Sequence, residues 1–481
     1  MELVTKKAMK CIQEADVIVY DNLIDISLLN YASLNTELIY AGKEAANHYL
    51  SQGSIIELLM DKAREGKYVV RLKGGDPYLF GRGSEEALAL KEAGISYEIV
   101  SGVTSSIAVP AYAGIPVTDR RFVSSCHIIT AHREDEAGID FENISKLEGT
   151  LVFMMGLAKL HHIVQGLTLH GKASDTPVAV LSDGSRYNRR KCVGTLADIE
   201  EKVKEAKLLP PAIIVVGEVV SLSNELDNFL ERYSDKKLFR KKILLTGTRY
   251  ICNKIKVALA DEGCDIDEIS IIESVPIESD FYNNIEKYIE SHDYLVFSSA
   301  NGIRVFFEKL KELHNVDLRK LSNIKFAVIG KGSAQTLRNY GYIADFVPSS
   351  FSNKDLAVEL CKQLKGEKLL LLRAREASAE LVEELEANKV EYTDVPLYET
   401  FRDYRRTFDI KRLIKNYDYV VVASSITAHT LCEMVEDKAL LEGRVVSIGP
   451  VTTGTCKRLG VEPIMSAREY SVDGIVRVLL Q

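Results

Sequence analysis

Short apolar runs punctuate this 481-residue chain almost from end to end, and stretches with helical spacing lie between them. VIVY, ELIY, YVVRL, YEIVS, CHIIT, TLVFMM, PVAVL and AIIVVG fall in the first half, with segments such as SEEALALKEAG intervening. A brief apolar run bounded by turn residues reads as a buried strand. Strands that alternate with helices bury both faces of a sheet, which makes this an α/β chain with mostly parallel strands. The opening TKKAMKCIQEA reads as an amphipathic helix, with Ala8, Met9, Ile12 and Ala15 as its apolar residues, and ADVIVYD as the strand after it.

The second half repeats itself. KKILLTGTR is answered about 126 residues later by EKLLLLRAR, EISIIESVPIES by TDVPLYETFRD, HDYLVFSSANGIRVF by YDYVVVASSITAHTL, and IKFAVIGKGSAQTLRNYG by GRVVSIGPVTTGTCKRLG. Each unit runs strand, helix, strand, helix, strand–Ser–Ser, helix, strand–Gly, helix, which predicts two similar lobes facing a cleft. Ligands of such sheets sit at the carboxyl ends of strands, where the matching Ser-Ser and Gly turns fall. Ser and Gly also cap helices without any ligand; their repetition at the same strand ends favours a site. Between the halves lies SLSNELDNFLERYSDKKLFRKK, polar and charged, which places a linker at residues 226–240 between units 1–225 and 241–481.

A net charge of −8 argues against a nucleic-acid partner, although a local basic pocket for a small anion is compatible with it. The eight cysteines are scattered, without a C-x-x-C pair or a His at ligand spacing, so they read as small core residues of a reducing compartment rather than as metal ligands or disulfides. No apolar run approaches the roughly 20 residues of a membrane helix, and no leader is visible; the expected home is the cytoplasm, with no membrane partner.

The densest local signal is YVVRLKGGDPYLFGRGSEEALAL. A strand ends at Lys73, Gly74-Gly75-Asp76-Pro77 turns the chain, and Gly81-Arg82-Gly83 leads into a helix. The glycines allow positive φ and a close backbone approach, and Asp76 can accept a hydrogen bond. Together with VIVYDNLI, IYAGKEA, IVSGVTSSIAVPAYAGIPVTDR, TLVFMMGL and PAIIVVGEV, in that order, this stretch closely resembles the tetrapyrrole methylase family, and within it the uroporphyrinogen-III C-methyltransferases, over about residues 1–225. The resemblance implies a fold of two α/β subdomains, S-adenosylmethionine in the cleft between them, two methylations that turn uroporphyrinogen III into precorrin-2, and a homodimer formed through this half. It implies Asp21 as the base, Lys43 as the proton donor, and Gly74, Gly75, Asp76, Leu79, Thr104, Ser105, Met155, Gly184 and Ala212 around the cofactor. Read without the motif, Asp21 and Lys43 are a surface pair and Met155 is core packing. Arg71, Arg82, Arg120, Arg121 and Arg186 are candidates for substrate carboxylates, since guanidinium groups grip them bidentately, and Arg120 is singled out.

Some positions depart from the family. Thr118-Asp119-Arg120, Thr130-Ala131-His132 and Met154 stand where Thr-His-Arg, Thr-Gly-His and Tyr are usual. The family also begins with a strand and a G-x-G-P-G-D loop that this sequence lacks. The expectation is that Met1 is an internal methionine with about 12–16 residues upstream.

Residues 241–481 resemble uroporphyrinogen-III synthase, on the two-lobe repeat with SSANG, IGKGSAQTL, VPLYET, VVASS and IGPVTT. The resemblance implies lobes 241–274 plus 400–481 and 275–399, closure of hydroxymethylbilane into uroporphyrinogen III, and no cofactor. Tyr398 would assist departure of the hydroxyl, with Ser298, Ser299, Ser424, Ser425, Thr427 and Thr452 near the substrate. A strand tyrosine can also be there for packing alone. Fusion of the halves keeps a reactive intermediate nearby, on the way to sirohaem or cobalamin. The alternatives are an active synthase joined to a truncated, non-catalytic methylase that only binds tetrapyrrole, a different precorrin methylase, or a two-lobed sensor.

Overall fold

The computed structural model describes residues 2–42, 50–131, 138–313, 317–350, 352–469 and 471–481. The first helix, Lys6–Glu14, starts where the Thr5 hydroxyl accepts from the Ala8 amide at 3.2 Å, and its buried Ile12 packs with Ile18 of β1 (Val17–Tyr20). β1 lies between β2 (Glu37–Tyr40) and β3 (Val69–Leu72), parallel to both, with Tyr20 level with Tyr40 and Leu72. The three strands end together, so the loops opening at Asp21, Ala41 and Lys73 share one edge of the sheet. Residues 97–101, YEIVS, were expected to be a strand, but no strand is assigned there. An extended run becomes a strand only when a neighbour completes its ladder.

β4 (Cys126–Thr130), β5 (Thr150–Met154), β6 (Pro177–Ser182), β7 (Arg190–Thr195) and β8 (Ala212–Val216) form a second sheet in the order β4-β5-β8-β6-β7. Only β4 and β5 run parallel; the other pairings are antiparallel, which corrects the expectation of mostly parallel strands for this sheet. The connection from β6 to β7 is too short for a crossover helix, so the chain must reverse.

The C-terminal strands are β9 (Lys242–Gly247), β10 (Asp265–Ser270), β11 (Ile272–Pro276), β12 (Tyr294–Phe297), β13 (Lys325–Val328), β14 (Leu369–Ala374), β15 (Tyr392–Arg402), β16 (Tyr419–Val422), β17 (Val445–Ser447) and β18 (Met465–Ser466). They form two sheets, β10-β9-β16-β17-β18 and β11-β15-β14-β12-β13. The sequence repeat pairs β9 with β14, β12 with β16 and β13 with β17. Each sheet therefore holds half of each repeat, and the two repeats exchange their halves between lobes.

The halves of the chain share one apolar core, which runs from Ile12, Ile18 and Leu29 into Leu244, Ile410 and Leu431. The 3₁₀ turn Ile26–Tyr31 lies along β10, where Ser27 Oγ accepts from the Glu268 amide at 2.9 Å and Asn30 bonds Glu268 O and the Ser270 amide at 2.9 and 3.1 Å. The polar stretch 226–240 is also packed. It contains the helix Phe229–Tyr233, with Phe229, Tyr233 and Leu238 buried and the Arg189 guanidinium 3.6 Å above the Phe229 ring. Among the described residues no helix is long and apolar enough to cross a membrane.

Candidate functional site

The shared strand edge of the first sheet gathers an unusual density of charge. Asp21, directly after β1, accepts from Arg71 Nη2 at 3.1 Å and from the Leu23 amide at 2.9 Å. Beneath it, buried Glu86 takes Lys73 Nζ at 2.9 Å and Gln52 Nε2 at 3.1 Å, and lies 3.5 Å from Arg71 Nε. Burial and the neighbouring Arg71 lower the pKa of Lys73 despite its carboxylate partner. Lys43 lies outside the described residues.

The Gly74–Gly75–Asp76 turn is locked to the loop 101–104. Asp76 accepts from the Ser101 hydroxyl, from the Gly102 amide at 3.0 Å and from the Tyr78 amide at 2.9 Å, and these bonds, that of Ser101 foremost, hold its carboxyl below the usual range. A Cβ on Gly102 would sit 2.2 Å from Gly75 O, so the two loops meet backbone to backbone. Gly75 has φ +76°, which favours glycine, and both Gly74 and Gly75 are exposed. Leu79 donates its amide to Asp76 O at 3.2 Å. Thr104 caps the helix Ser105–Tyr112 without a side-chain bond to its first amides. Gly184 packs on that helix, where a Cβ would meet Val109 Cγ1 at 2.2 Å, and Ala212 opens β8 level with Ser182.

Met155 is 51% exposed with φ +56°, so it is not core packing. Phe80, Arg82 and Asp183 also have left-handed backbones, which non-glycine residues adopt seldom, as do Lys207, Arg240, Lys389 and Glu436 away from these loops. Leu23, Tyr78 and Val103, in the loops after β1 and β3 and before the helix Ser105–Tyr112, and Ile107 on that helix are exposed.

Four of the five candidate arginines engage carboxylates of the chain itself. Arg71 faces Asp21 and Glu86, Arg82 forks onto Glu85 at 2.8 Å, and Arg186 reaches Asp267 of the C-terminal half at 3.3 Å. Arg121 grips Asp119 at 2.9 and 3.1 Å, which holds that carboxyl at about 2 and accounts for an acidic residue at this departure from the family. Arg120 is exposed.

In the C-terminal half, β15 buries Tyr398 with its hydroxyl 2.8 Å from Ser299 Oγ. Burial raises the phenol above its usual pKa, opposed by the Ser299 bond. Ser299 also caps the helix Ala300–Glu312 through the Gly302 amide at 3.0 Å, and Ser424 caps Ser425–Val435 through the Thr427 amide at 3.1 Å. Ser425 accepts from Thr455 at 3.1 Å, Thr427 and Thr452 are buried, and Ser298 is half-buried. Among the described residues no hydrogen bond joins the Ser299–Tyr398 pair to Ser424 or Thr427; each set stands at the end of its own sheet. Between the lobes lies a cavity of about 310 Å³ lined by Arg249, Tyr250, Arg304, Glu308 and Tyr340, and by Tyr31 from the N-terminal half.

Sequence reasoning missed Glu86, Arg249 and Arg304. Glu86 sits in SEEALAL, where a charge in the first helical turn reads as solvent-facing; the lysine directly after the preceding strand was the one available hint.

Comparison with known proteins matches residues 1–200 to the tetrapyrrole (corrin/porphyrin) methylases and residues 253–477 to uroporphyrinogen-III synthase HemD. The porphyrin biosynthesis protein HemD of Ruminiclostridium josui is 35% identical over 486 residues, spanning 100% of this chain and 95% of that protein. The uroporphyrinogen-III C-methyltransferase of Methanocaldococcus jannaschii is 49% identical over 223 residues, 46% of this chain and 92% of that one. Among solved structures, the uroporphyrin-III C-methyl transferase of Thermus thermophilus complexed with S-adenyl homocysteine covers 46% of this chain and 94% of its own, at 33% identity and a TM-score of 0.40.

Proposed function

The chain belongs to the porphyrin-biosynthesis HemD family and carries a uroporphyrinogen-III C-methyltransferase ahead of a uroporphyrinogen-III synthase, and from this we propose one division of labour. Residues 241–481 cyclise hydroxymethylbilane to uroporphyrinogen III, and residues 1–225 methylate it twice to precorrin-2, feeding sirohaem or cobalamin synthesis. The observation that carries the methylase reading is the lock of Asp76 on Gly102, which fixes an exposed Gly74–Gly75 backbone beside the charged edge at Asp21.

The residues present fit S-adenosylmethionine. Gly74, Gly75 and Leu79 offer the turn's backbone, Thr104 and Ser105 a helix start suited to a carboxylate, and exposed Met155, with Gly184 and Ala212, an apolar wall. When bound, that group supplies an electrophilic methyl to a pyrrole carbon. Asp21 takes up the proton the pyrrole releases, with Arg71 orienting its carboxylate, and Lys43 returns one. Arg120 meets a substrate carboxylate.

In the synthase half, Tyr398 donates to the departing hydroxyl, and its raised pKa keeps it protonated across the neutral range. Amides at the helix starts after Ser299 and Ser424, with Ser298, Ser425, Thr427 and Thr452, hold substrate carboxylates, and Arg249 and Arg304 extend that set from the cavity between the lobes. This half uses no cofactor. The protein acts in the cytoplasm as a homodimer through residues 1–225, without nucleic acid.

Titration of the full chain with S-adenosylhomocysteine tests the first site, with saturable binding at one molecule per chain expected. Absence of saturable binding would overturn it. For the second site, Tyr398→Phe is expected to lower hydroxymethylbilane turnover, and an unchanged rate would overturn the role of the phenol.

A further inference from the structure

The residues on either side of Asp21, Tyr20 and Asn22, are both bonded to the other half of the chain. Tyr20, 2% exposed, places its hydroxyl 3.1 Å from both carboxylate oxygens of Asp409, which is wholly buried in the helix Thr407–Leu413. Asn22 Oδ1, on the other side, accepts from Arg412 Nη1 of the same helix at 2.9 Å. The Arg412 guanidinium also covers the Tyr40 ring at 4.6 Å, and Phe408 packs on that ring at 5.0 Å, so the helix reaches the end of β2 as well. The helix is itself anchored. Arg406, 1% exposed, binds Asp409 at 3.2 Å, Asn30 Oδ1 at 2.6 Å and Ile26 O at 3.2 Å.

Asp21 itself is only partly covered, and its own partners are one arginine and one amide. A proton-transfer group works when it is held within about 0.5 Å and 10–20° of the productive geometry, by neighbours that are themselves fixed. Here the residues flanking Asp21 in the chain, Tyr20 and Asn22, are fixed by the C-terminal half. We propose that the helix Thr407–Leu413 is a positioning element for Asp21, so that methyl transfer in the N-terminal half depends on Tyr20–Asp409 and Asn22–Arg412 contacts across the chain. This rests on the reading of Asp21 as the base. Asp409 and Arg412 are positioning residues; neither touches the reacting atoms.

The test uses the full chain with Tyr20→Phe, Arg412→Met, the two combined, Arg412→Lys, and Asp21→Asn. Methylation of supplied uroporphyrinogen III and synthase turnover of hydroxymethylbilane are measured on each. Tyr20→Phe and Arg412→Met remove polar contacts without emptying the core; Asp409 loses its 3.5 Å contact with Arg412 but keeps Arg406, whereas any Asp409 variant would leave Arg406 uncompensated. The expected result is a fall in methylation kcat of about tenfold for the combined variant, an unchanged KM for S-adenosylmethionine, synthase kcat within about twofold, and partial recovery in Arg412→Lys. Full methylation in the combined variant with none in Asp21→Asn overturns the positioning role alone. Wild-type methylation in Asp21→Asn overturns the reading of Asp21 and the proposal with it. Parallel loss of both activities overturns the proposal too, since the contacts would then only hold the fold.

Discussion

Removing the Glu86 carboxylate should unsettle the N-terminal half more than any other single charge removal there. Glu86 is 5% exposed, and the side chains of Lys73 and Arg71 are 8% and 13% exposed. In Glu86→Ala two cations remain beside each other with only Asp21, on the far side of Arg71, to offset them. Breaking a buried pair by deleting one partner costs about 3–5 kcal/mol, because the survivor stays desolvated. At about 2–4 °C per kcal/mol for a unit of this size, the melting temperature should fall by about 6–20 °C. Glu86→Gln keeps an acceptor and should lose about 1.5–3 kcal/mol. Lys73→Met with Glu86→Leu removes both charges and should return to within about 1 kcal/mol of the parent. The sign of the pH dependence follows from Lys73. Its pKa is already lowered in the folded chain, so above that value the unfolded chain binds more protons and stability rises with pH. Losing Glu86 removes a contribution that raises the pKa, so Glu86→Ala should regain stability on going alkaline more steeply than the parent does. The chain has no tryptophan, so calorimetry is the assay. A Glu86→Ala change within about 0.5 kcal/mol, or a double variant as unstable as the single, would refute this reasoning.

Gly102→Ala drives a Cβ into Gly75 O and should weaken S-adenosylhomocysteine about 5–150-fold, as expected for 1–3 kcal/mol of overpacking, with synthase turnover unchanged; calorimetric titration reads it. Tyr398→Phe should lower synthase kcat about 100-fold, within the span general acids supply, while methylation of supplied uroporphyrinogen III is unaffected. Because burial raises Tyr398, the parent's synthase rate should show no loss from phenol ionisation below about pH 10, which a pH–rate profile checks. Arg120→Ala should raise KM for uroporphyrinogen III severalfold, by an amount that shrinks as salt rises, in initial-rate assays at two ionic strengths.

Periodicity and turn chemistry made most of the architecture legible. The apolar runs became strands, the repeat became two matching sheets, and the glycine turn fell at a strand end beside Asp21. YEIVS shows the limit, since its composition is right and only pairing, a property of the rest of the fold, was wanting. The exchange of half-repeats between lobes left no trace in the repeat itself, because β9 and β14 carry the same pattern wherever they pair. The site was legible where motifs are dense and illegible where charges pair at a distance. Arg71 and Arg186 read as free guanidinium groups until Glu86 and Asp267 appeared beside them. Arg406 and Asp409 look like surface polar residues in a charged stretch, and it is the docking of one half on the other, with Asn30 accepting from Arg406, that buries them.

Anaerobic turnover by the intact chain is the most direct measurement. Hydroxymethylbilane is supplied with and without S-adenosylmethionine, and the oxidised products are read by chromatography and mass. The predicted result is the type III isomer without the methyl donor and its doubly methylated product with it. Unmethylated type III isomer in both cases would contradict the methylase assignment, and only the spontaneously closed type I isomer would contradict the synthase assignment.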